Sequence, residues 1–409
     1  MMEWETVRLG DYISIKSGLA YKGCHIGKGE CLLLGMGCVS FKEKFVESGA
    51  RPYNDPSDDR FLVSPGDIVL ATRQQSDNLP ILAMPAIIPY IYQNKRVLFG
   101  TNLYKIENNS EIDNRFLFWL LKHQHYVNYI AGVKSGTAVQ MVTKKNVEDY
   151  KFSCPPKFIR DKISKTLWDY DRLIENNTRR IRLLEQMAEN LYKEWFVRFR
   201  FPGHENVEMV NGLPKGWKRT KLIKNIKTSS GGTPSRNKGE YYKNGTIPWI
   251  KTGELQDCIL INTEEYITED AVNNSSAKLF PKGTLLMAMY GVNVGKLGIS
   301  EIEATCNQAC CVFTPKHIDY KYYLFHYLKS IREYLLSISF GAAQQNLSQE
   351  LIKSIRVLFP DEETNTSFVK EVQPLFKEIS IIQQQNQLLT RQRDLLLPRL
   401  MSGKLEVKP

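Results

Sequence analysis

The chain has 409 residues, 42% apolar and 24% charged, the make-up of a soluble globular protein with room for two or three domains. It holds no apolar run of about 18 residues, which excludes a membrane-spanning helix. Its 55 Lys and Arg outnumber 44 Asp and Glu, and the net charge of +11 points to a polyanionic partner, nucleic acid above all.

The start, Met1-Met2-Glu3-Trp4-Glu5, is acidic and lacks a signal-peptide core, so the expected location is the cytoplasm. Eight cysteines stand at Cys24, Cys31, Cys38, Cys154, Cys258, Cys306, Cys310 and Cys311. None are spaced as CxxC, and no histidine or acidic scaffold accompanies the seven-residue steps from Cys24 to Cys38. Buried free thiols and no metal site are expected.

In chain order, Ile68 to Thr72 reads as a buried strand, a short apolar run after the Pro65-Gly66 turn. Arg73, Gln74 and Gln75 follow it. Phe116 to Tyr126 reads as an aromatic-rich helix. Then come the loop Gly136-Thr137-Ala138-Val139-Gln140-Met141 and the pair Lys144-Lys145. Glycine lets backbone approach a phosphate, glutamine can bond an adenine edge bidentately, and lysine pairs with phosphate. Arg73, Gln74, Gln75, Gly136, Thr137, Gln140, Lys144 and Lys145 are therefore candidate DNA contacts. The competing reading of each loop is a solvated turn.

Lys157 to Arg200 reads as one long helix, roughly 65 Å at about 1.5 Å per residue. Pro155-Pro156 opens it and Pro202-Gly203 closes it. Apolar or bulky residues recur in steps of four and three at Ile163, Leu167, Tyr170, Ile174, Ile181, Leu184, Ala188, Leu191 and Trp195, with Asn177 on the same seam. That is heptad spacing, which needs a partner helix.

Beyond it, Gly231-Gly232-Thr233-Pro234-Ser235-Arg236-Asn237-Lys238 reads as a flexible basic loop, and Thr284 to Met289 as a second buried strand. Tyr322 to Leu335 reads as a second aromatic helix, and Gly341-Ala342-Ala343-Gln344-Gln345-Asn346 as a second glycine loop. Thr233, Ser235, Arg236, Asn237, Lys238, Gln344, Gln345 and Asn346 join the candidate contacts. From Phe368 the heptad spacing returns at Val372, Leu375, Ile379, Ile382, Asn386, Leu389, Leu396 and Leu400, interrupted at Arg393. Pairing of Asn177 with Asn386 would fix register at a cost in stability. Pro374 predicts a kink or a late start, and Pro398 and Gly403 a stop. Two surface helices on separate bodies are the plainer alternative.

The two halves repeat. Trp4, Leu9, Ile13, Ser17 and Gly18 recur as Trp217, Leu222, Ile226, Ser230 and Gly231. Asn102, Gly136 and Pro155 match Asn307, Gly341 and Pro360 at one constant offset. Their common order points to duplication, each half an α+β body followed by proline and a long helix. No GxxxxGK[ST] or GxGxxG loop appears, and Asn54-Asp55-Pro56-Ser57 lacks the second proline and the aromatic of base methyltransferases. The acidic residues form no nuclease set. These absences favour a binding protein over an enzyme.

Leu191-Tyr192-Lys193-Glu194-Trp195-Phe196-Val197 with Phe201-Pro202, then Leu213-Pro214-Lys215-Gly216-Trp217, and the ending Leu400-Met401-Ser402-Gly403-Lys404-Leu405, resemble the specificity subunit of type I restriction-modification systems. Gly231 to Ser235 with Ile247-Pro248-Trp249-Ile250 is similar to one second-domain variant. The resemblance implies two target-recognition domains, 1–153 and 201–361. Long helices at 154–200 and 362–409 would separate them as an antiparallel coiled coil. It further implies double-stranded DNA as ligand, read as two halves of a split, asymmetric site. Two methyltransferase subunits and the restriction subunits are the implied protein partners, with S-adenosylmethionine and ATP held there and no cofactor here. A related system with a fused methylase-nuclease partner stays open, as does a coiled-coil scaffold that binds no DNA.

Overall fold

A computed structural model describes residues 4–54, 59–75, 80–338 and 346–405. The chain forms two compact units, Met1–Ile174 with Leu389–Pro409, and Glu175–Leu388.

In the first unit, a four-stranded antiparallel sheet runs in the order Ile13–Ser17, Leu103–Asn108, Ile68–Ala71, Pro85–Ile87. Ile68 to Ala71 are each 0% exposed, as an unbroken apolar strand covered on both faces must be. A three-stranded sheet has Ile26–Leu34 at its centre, antiparallel to Ala50–Tyr53 and parallel to Val97–Phe99. Glu5–Arg8 pairs with Lys151–Cys154, just before the first long helix.

The second unit repeats this plan. Ile226–Ser230, Cys310–Pro315, Leu285–Ala288 and Leu297–Ser300 form the matching antiparallel order. Cys258–Leu260 extends that sheet by a parallel strand. Ile247–Ile250 again lies between an antiparallel and a parallel neighbour, Tyr266–Ile267 and Thr305–Cys306. Lys218–Lys221 pairs with Arg356–Phe359, just before the second long helix. The duplication seen in sequence is thus a duplication of strand order. Each predicted aromatic helix is two helices: Asn114–Lys122 then Gln124–Val133, and Lys321–Ser330 then Arg332–Ile338. His123 takes extended backbone at φ −67°, ψ 141° and separates the first pair.

The first long helix spans Lys157–Tyr192 and ends in a π turn, Lys193–Val197. The second spans Glu362–Met401 without interruption. The expected late start at Pro374 does not occur, and the helix passes through it unbroken. Pro374 lies on the exposed face, where water can bond the Lys370 carbonyl that its missing N–H leaves free. Pro398 also lies within the helix, and the stop is at Gly403, in the left-handed region at φ +68°.

The seam positions are buried or half-buried on both helices. In the second unit Asn177 Nδ2 donates to Asn386 Oδ1 at 3.0 Å, and Arg180 pairs with Glu378 at 2.9 Å. Both contacts set the helices antiparallel. In the first unit the break at Arg393 is filled by charge: its guanidinium donates to Asp171, 2% exposed, at 2.7 Å and lies over the Trp119 ring.

Each core takes one end from each helix. In the first unit Ile163 and Leu167 pack with Leu397, Leu400 and Met401. In the second, Ala188, Tyr192, Trp195 and Phe196 pack with Phe368, Val372, Phe376 and Ile379. The aromatic motifs make this second junction. Phe196 meets Phe368 edge-on at 4.8 Å and lies tilted 5.6 Å from Trp217. The Trp217 indole donates to Asp361 Oδ2, while Asp361 Oδ1 accepts from Thr364 N and caps the second helix. Two surface helices on separate bodies would show none of this.

Replacing Asn177 with Ala strands the Asn386 amide on the seam, at an expected cost of about 1–3 kcal/mol. The double variant Asn177→Leu/Asn386→Leu should regain most of that stability. Urea unfolding of the three proteins checks this; singles as stable as the parent would mean the pair contributes nothing.

Candidate nucleic-acid interface

Two predicted loops of the first unit come together. Arg73–Gln74 and Gln140–Met141 form a short antiparallel ladder, pairing Gln74 with Gln140 and Arg73 with Met141. Gly136 lies in the left-handed region at φ +92°, and a Cβ there would stand 2.2 Å from the Val139 carbonyl. Only glycine makes this turn without strain. Thr137, Ala138 and Val139 are exposed at its tip.

Within the ladder the roles divide. Gln74 is 5% exposed. Its amide donates to Gln140 Oε1 at 2.5 Å, and its carbonyl oxygen accepts from the Ile81 and Leu82 amides at 3.1 and 2.9 Å. Gln140 Oε1 also accepts from Lys134 Nζ. Gln74 therefore holds the loops together, a correction to its reading as a base contact: its hydrogen-bonding edge faces the protein. Arg73 and Gln75 are exposed. Arg73 stands near Tyr104, whose hydroxyl burial pushes above its ordinary pKa while that guanidinium pulls it down. Lys144 and Lys145 begin a short helix, Lys144–Glu148, capped by Thr143. Lys145 is exposed and Lys144 half-buried. Neither lysine forms an ion pair among the described residues.

The basic loop of the second unit is pinned, contrary to its reading as flexible. A Cβ on Gly231 would meet the Cys306 carbonyl at 2.2 Å, and one on Gly232 would meet Ser276 backbone at 2.2 Å. Trp249 Nε1 donates to the Gly232 carbonyl and Tyr242 Oη to the Pro234 carbonyl. Thr233 donates to the Gln308 amide oxygen. Arg236 pairs with Glu265 at 2.8 Å and lies 4.3 and 4.9 Å from the Tyr242 and Trp249 ring centres. Arg236 is thus a structural clamp whose charge Glu265 already offsets. Lys238 donates to the Tyr241 hydroxyl at 2.9 Å. Ser235 and Asn237 stay exposed.

Gln344 and Gln345 lie outside the described residues. Asn346 is exposed, next to Leu347, whose amide donates to the Met289 carbonyl. One loop was missed. Gly291 and Gly295, at φ +91° and +77°, frame Val292, which is fully exposed, and Asn293 donates to the Thr252 and Gly253 carbonyls. This loop leaves strand Leu285–Ala288 as Arg73 leaves Ile68–Ala71. Pro65 to Ala71 is echoed in sequence by Pro281 to Ala288, and following that match past the strand leads to this loop. Among the described residues, no group of His, Cys, Asp and Glu has the arrangement of a metal site.

The family described as the type I restriction modification DNA specificity domain matches residues 1–186 and again 214–391. The chain belongs to this family. The specificity subunit of the MjaIX type I restriction enzyme of Methanocaldococcus jannaschii is 25% identical over 303 residues, covering 72% of this chain and 70% of that one. That of the HindI enzyme of Haemophilus influenzae is 26% identical over 375 residues, covering 75% and 81%. The crystal structure of a type I restriction-modification S subunit from M. genitalium covers 97% of this chain and 96% of its own, at 16% identity and a TM-score of 0.58. It shares the fold. This specificity chain therefore carries a family domain twice, each copy a mixed body of helix and sheet, with a long helix between them in the chain. No helix among its described residues is long and apolar enough to cross a membrane.

Gln74→Ala should lower the unfolding temperature, because two buried amides and Gln140 lose their partner. Arg73→Ala should leave that temperature alone and weaken duplex binding, with the slope of log K against log salt shallower by about 0.9 if one phosphate contact is lost. Thermal unfolding and binding titrations at several salt concentrations separate the two. A Gln74→Ala protein of full stability with altered base preference would reverse the assignment.

Proposed function

We propose that this specificity chain reads a split, asymmetric site on double-stranded DNA, one half through each repeat. The repeated strand order carries the reading: two copies of one body suit two half-sites. The net charge of +11 supports a polyanionic ligand. Candidate contacts in the first copy are Arg73, Gln75, Thr137, Lys144 and Lys145. In the second they are Ser235, Asn237, Lys238, Asn346 and the tip at Val292, with Gln344 and Gln345 kept from the sequence. The chain itself is proposed to be non-catalytic and to work in the cytoplasm. Methyltransferase subunits would bring S-adenosylmethionine chemistry, and restriction subunits ATP-driven chemistry. Exposed Ile381 and Leu388, seven apart on the second helix within the second unit, support a protein docking there.

Exchanging residues 1–153 for those of a homologue should change one half-site and leave the other. Methylome sequencing of a host carrying the exchange reads this directly. Simultaneous change of both half-sites would overturn the one-repeat, one-half-site assignment.

The paired helices are proposed to set the gap between half-sites. One matched heptad added to both lengthens the pair by about 10.5 Å, or roughly 3 base pairs at about 3.4 Å each. Seven coiled-coil residues turn by only about 25° for a pitch near 150 Å, whereas three base pairs turn by roughly 100°. A longer gap with much weaker binding, or no binding, is expected. Methylation of the original site at its original gap by the extended protein would refute the ruler.

A further inference from the structure

The second unit holds a cavity of about 240 Å³ that the proposed function does not use. The first long helix contributes Glu185 and Ala188 to its lining, the second Phe376 and Ile379. Phe325, His326 and Lys329 come from the helix Lys321–Ser330, and Asp257, Cys258 and Ile259 from the sheet edge. It is smaller than a site for a drug-sized molecule and suits a small organic group.

Two of its polar groups lack a protein partner among the described residues. His326 is 4% exposed, and neither ring nitrogen has a hydrogen-bond partner among the described residues. A buried imidazole without a partner is costly, and such orphans call for an explanation. Its ring stacks on Tyr192 and meets Phe325 and Phe376 edge-on. Burial, aided by Lys329, pushes its pKa down to about 3, so at neutral pH it is an uncharged ring with one acceptor nitrogen. Glu185 faces solvent largely and forms no hydrogen bond or ion pair among the described residues; partial desolvation pushes its carboxyl up, while Lys329 and Arg182 pull it down. The other charges that line the cavity are already matched. Asp257 is held by Arg332 and by Lys296, and Lys329 by Glu189.

A free carboxylate, an acceptor nitrogen and two aromatic rings around a small space form a receptor for a hydrogen-bond-donating cation. We infer that this cavity binds a compact organic cation, a guanidinium or ammonium on a short apolar stem, between Glu185 and His326. The stem would lie against Phe325, Phe376 and Ile379. The cation can come from a free small molecule or from the side chain of a partner protein.

Calorimetric titration of the full chain with butylguanidinium and butylammonium tests this, with butanol and butyrate as controls. Saturable binding of a cation and none of the controls is expected. Glu185→Gln, a near-isosteric change at a largely solvent-facing position, should weaken it by about tenfold or more. The carboxyl carbon of Glu185 should shift in NMR spectra as the cation is added. No saturable cation binding, equal binding by the Glu185→Gln protein, or preference for butyrate would each overturn the assignment. Unchanged unfolding temperature and duplex affinity in Glu185→Gln confirm that the comparison reads the cavity alone. A second arm rests on the proposed assembly with methyltransferase subunits. Loss of butylguanidinium binding on assembly points to a partner's side chain as the natural occupant; retained binding points to a free small molecule. Either supports the cation site.

Discussion

The structure depends on the antiparallel pairing of two long helices, because neither core is complete without both. In the first unit the beginning of one helix packs with the end of the other, Ile163 and Leu167 with Leu397, Leu400 and Met401. In the second the roles reverse, the closing Tyr192, Trp195 and Phe196 meeting the opening Phe368 and Val372. Leu397, Leu400 and Met401, at the end of the second helix, therefore belong to the same core as Leu9, Ile13 and Ile15. Trp4 packs so closely at Gly403 that a Cβ there would stand 3.0 Å from its ring. Such contacts close a loop of nearly the whole chain, and the entropy of closing it grows only slowly with length. Each body is thus completed by one end of each long helix.

Polar groups on the seam set the register that leucines alone would leave loose. Asn177 and Asn386 satisfy one another at a single offset of the helices. Asp171 and Arg393 do the same in the first unit with full charges. Burying that pair is expensive, and parting it leaves Asp171 the more distant Lys44 and Arg393 the exposed Asp394. A shifted register would part this pair in the first unit and the asparagines in the second. Lys44 joins the cluster, 3.8 Å from Asp171 and 4.2 Å over the Trp168 ring. Lys122, whose ammonium burial pushes down to about 8, donates to the Phe41 and Glu43 carbonyls. The loop 41–44 is thereby fastened to the helices that also build the core.

Much of this was legible because it is periodic or repeated. Heptad spacing announces a seam wherever it falls, and the Asn177 and Asn386 positions followed from counting along it. Duplication was legible because Trp4 and Trp217 head matching series. What escaped depends on residues far apart in sequence. Arg236 reads as a free basic side chain until Glu265, Tyr242 and Trp249 are seen around it. Gln74 reads as a base contact until Ile81 and Leu82 turn their amides onto it. Arg393 reads as an interruption because its partner, Asp171, is on the other helix. Pro374 misleads for another reason. Its penalty depends on whether the freed carbonyl meets water or protein, and only the exposed face settles that.

The same division explains how one scaffold can carry variable recognition. Buried Gln74 with Gly136 holds the base of the first loop, and clamped Arg236 with Gly231 and Gly232 that of the second, so neither shape depends on the residues at its tip. Thr137, Val139, Ser235, Asn237 and Val292 stand outside those networks and are exposed. Substitutions there leave the core, the seam and the loop anchors untouched, and surface changes of that kind cost little stability. Changes at Gln74, Gly136, Gly231 or Arg236 would instead alter loop shape, and with it every contact the loop makes. The residues that look most like DNA contacts by type are in part the framework, and the plainer residues at the tips are the ones free to face a ligand.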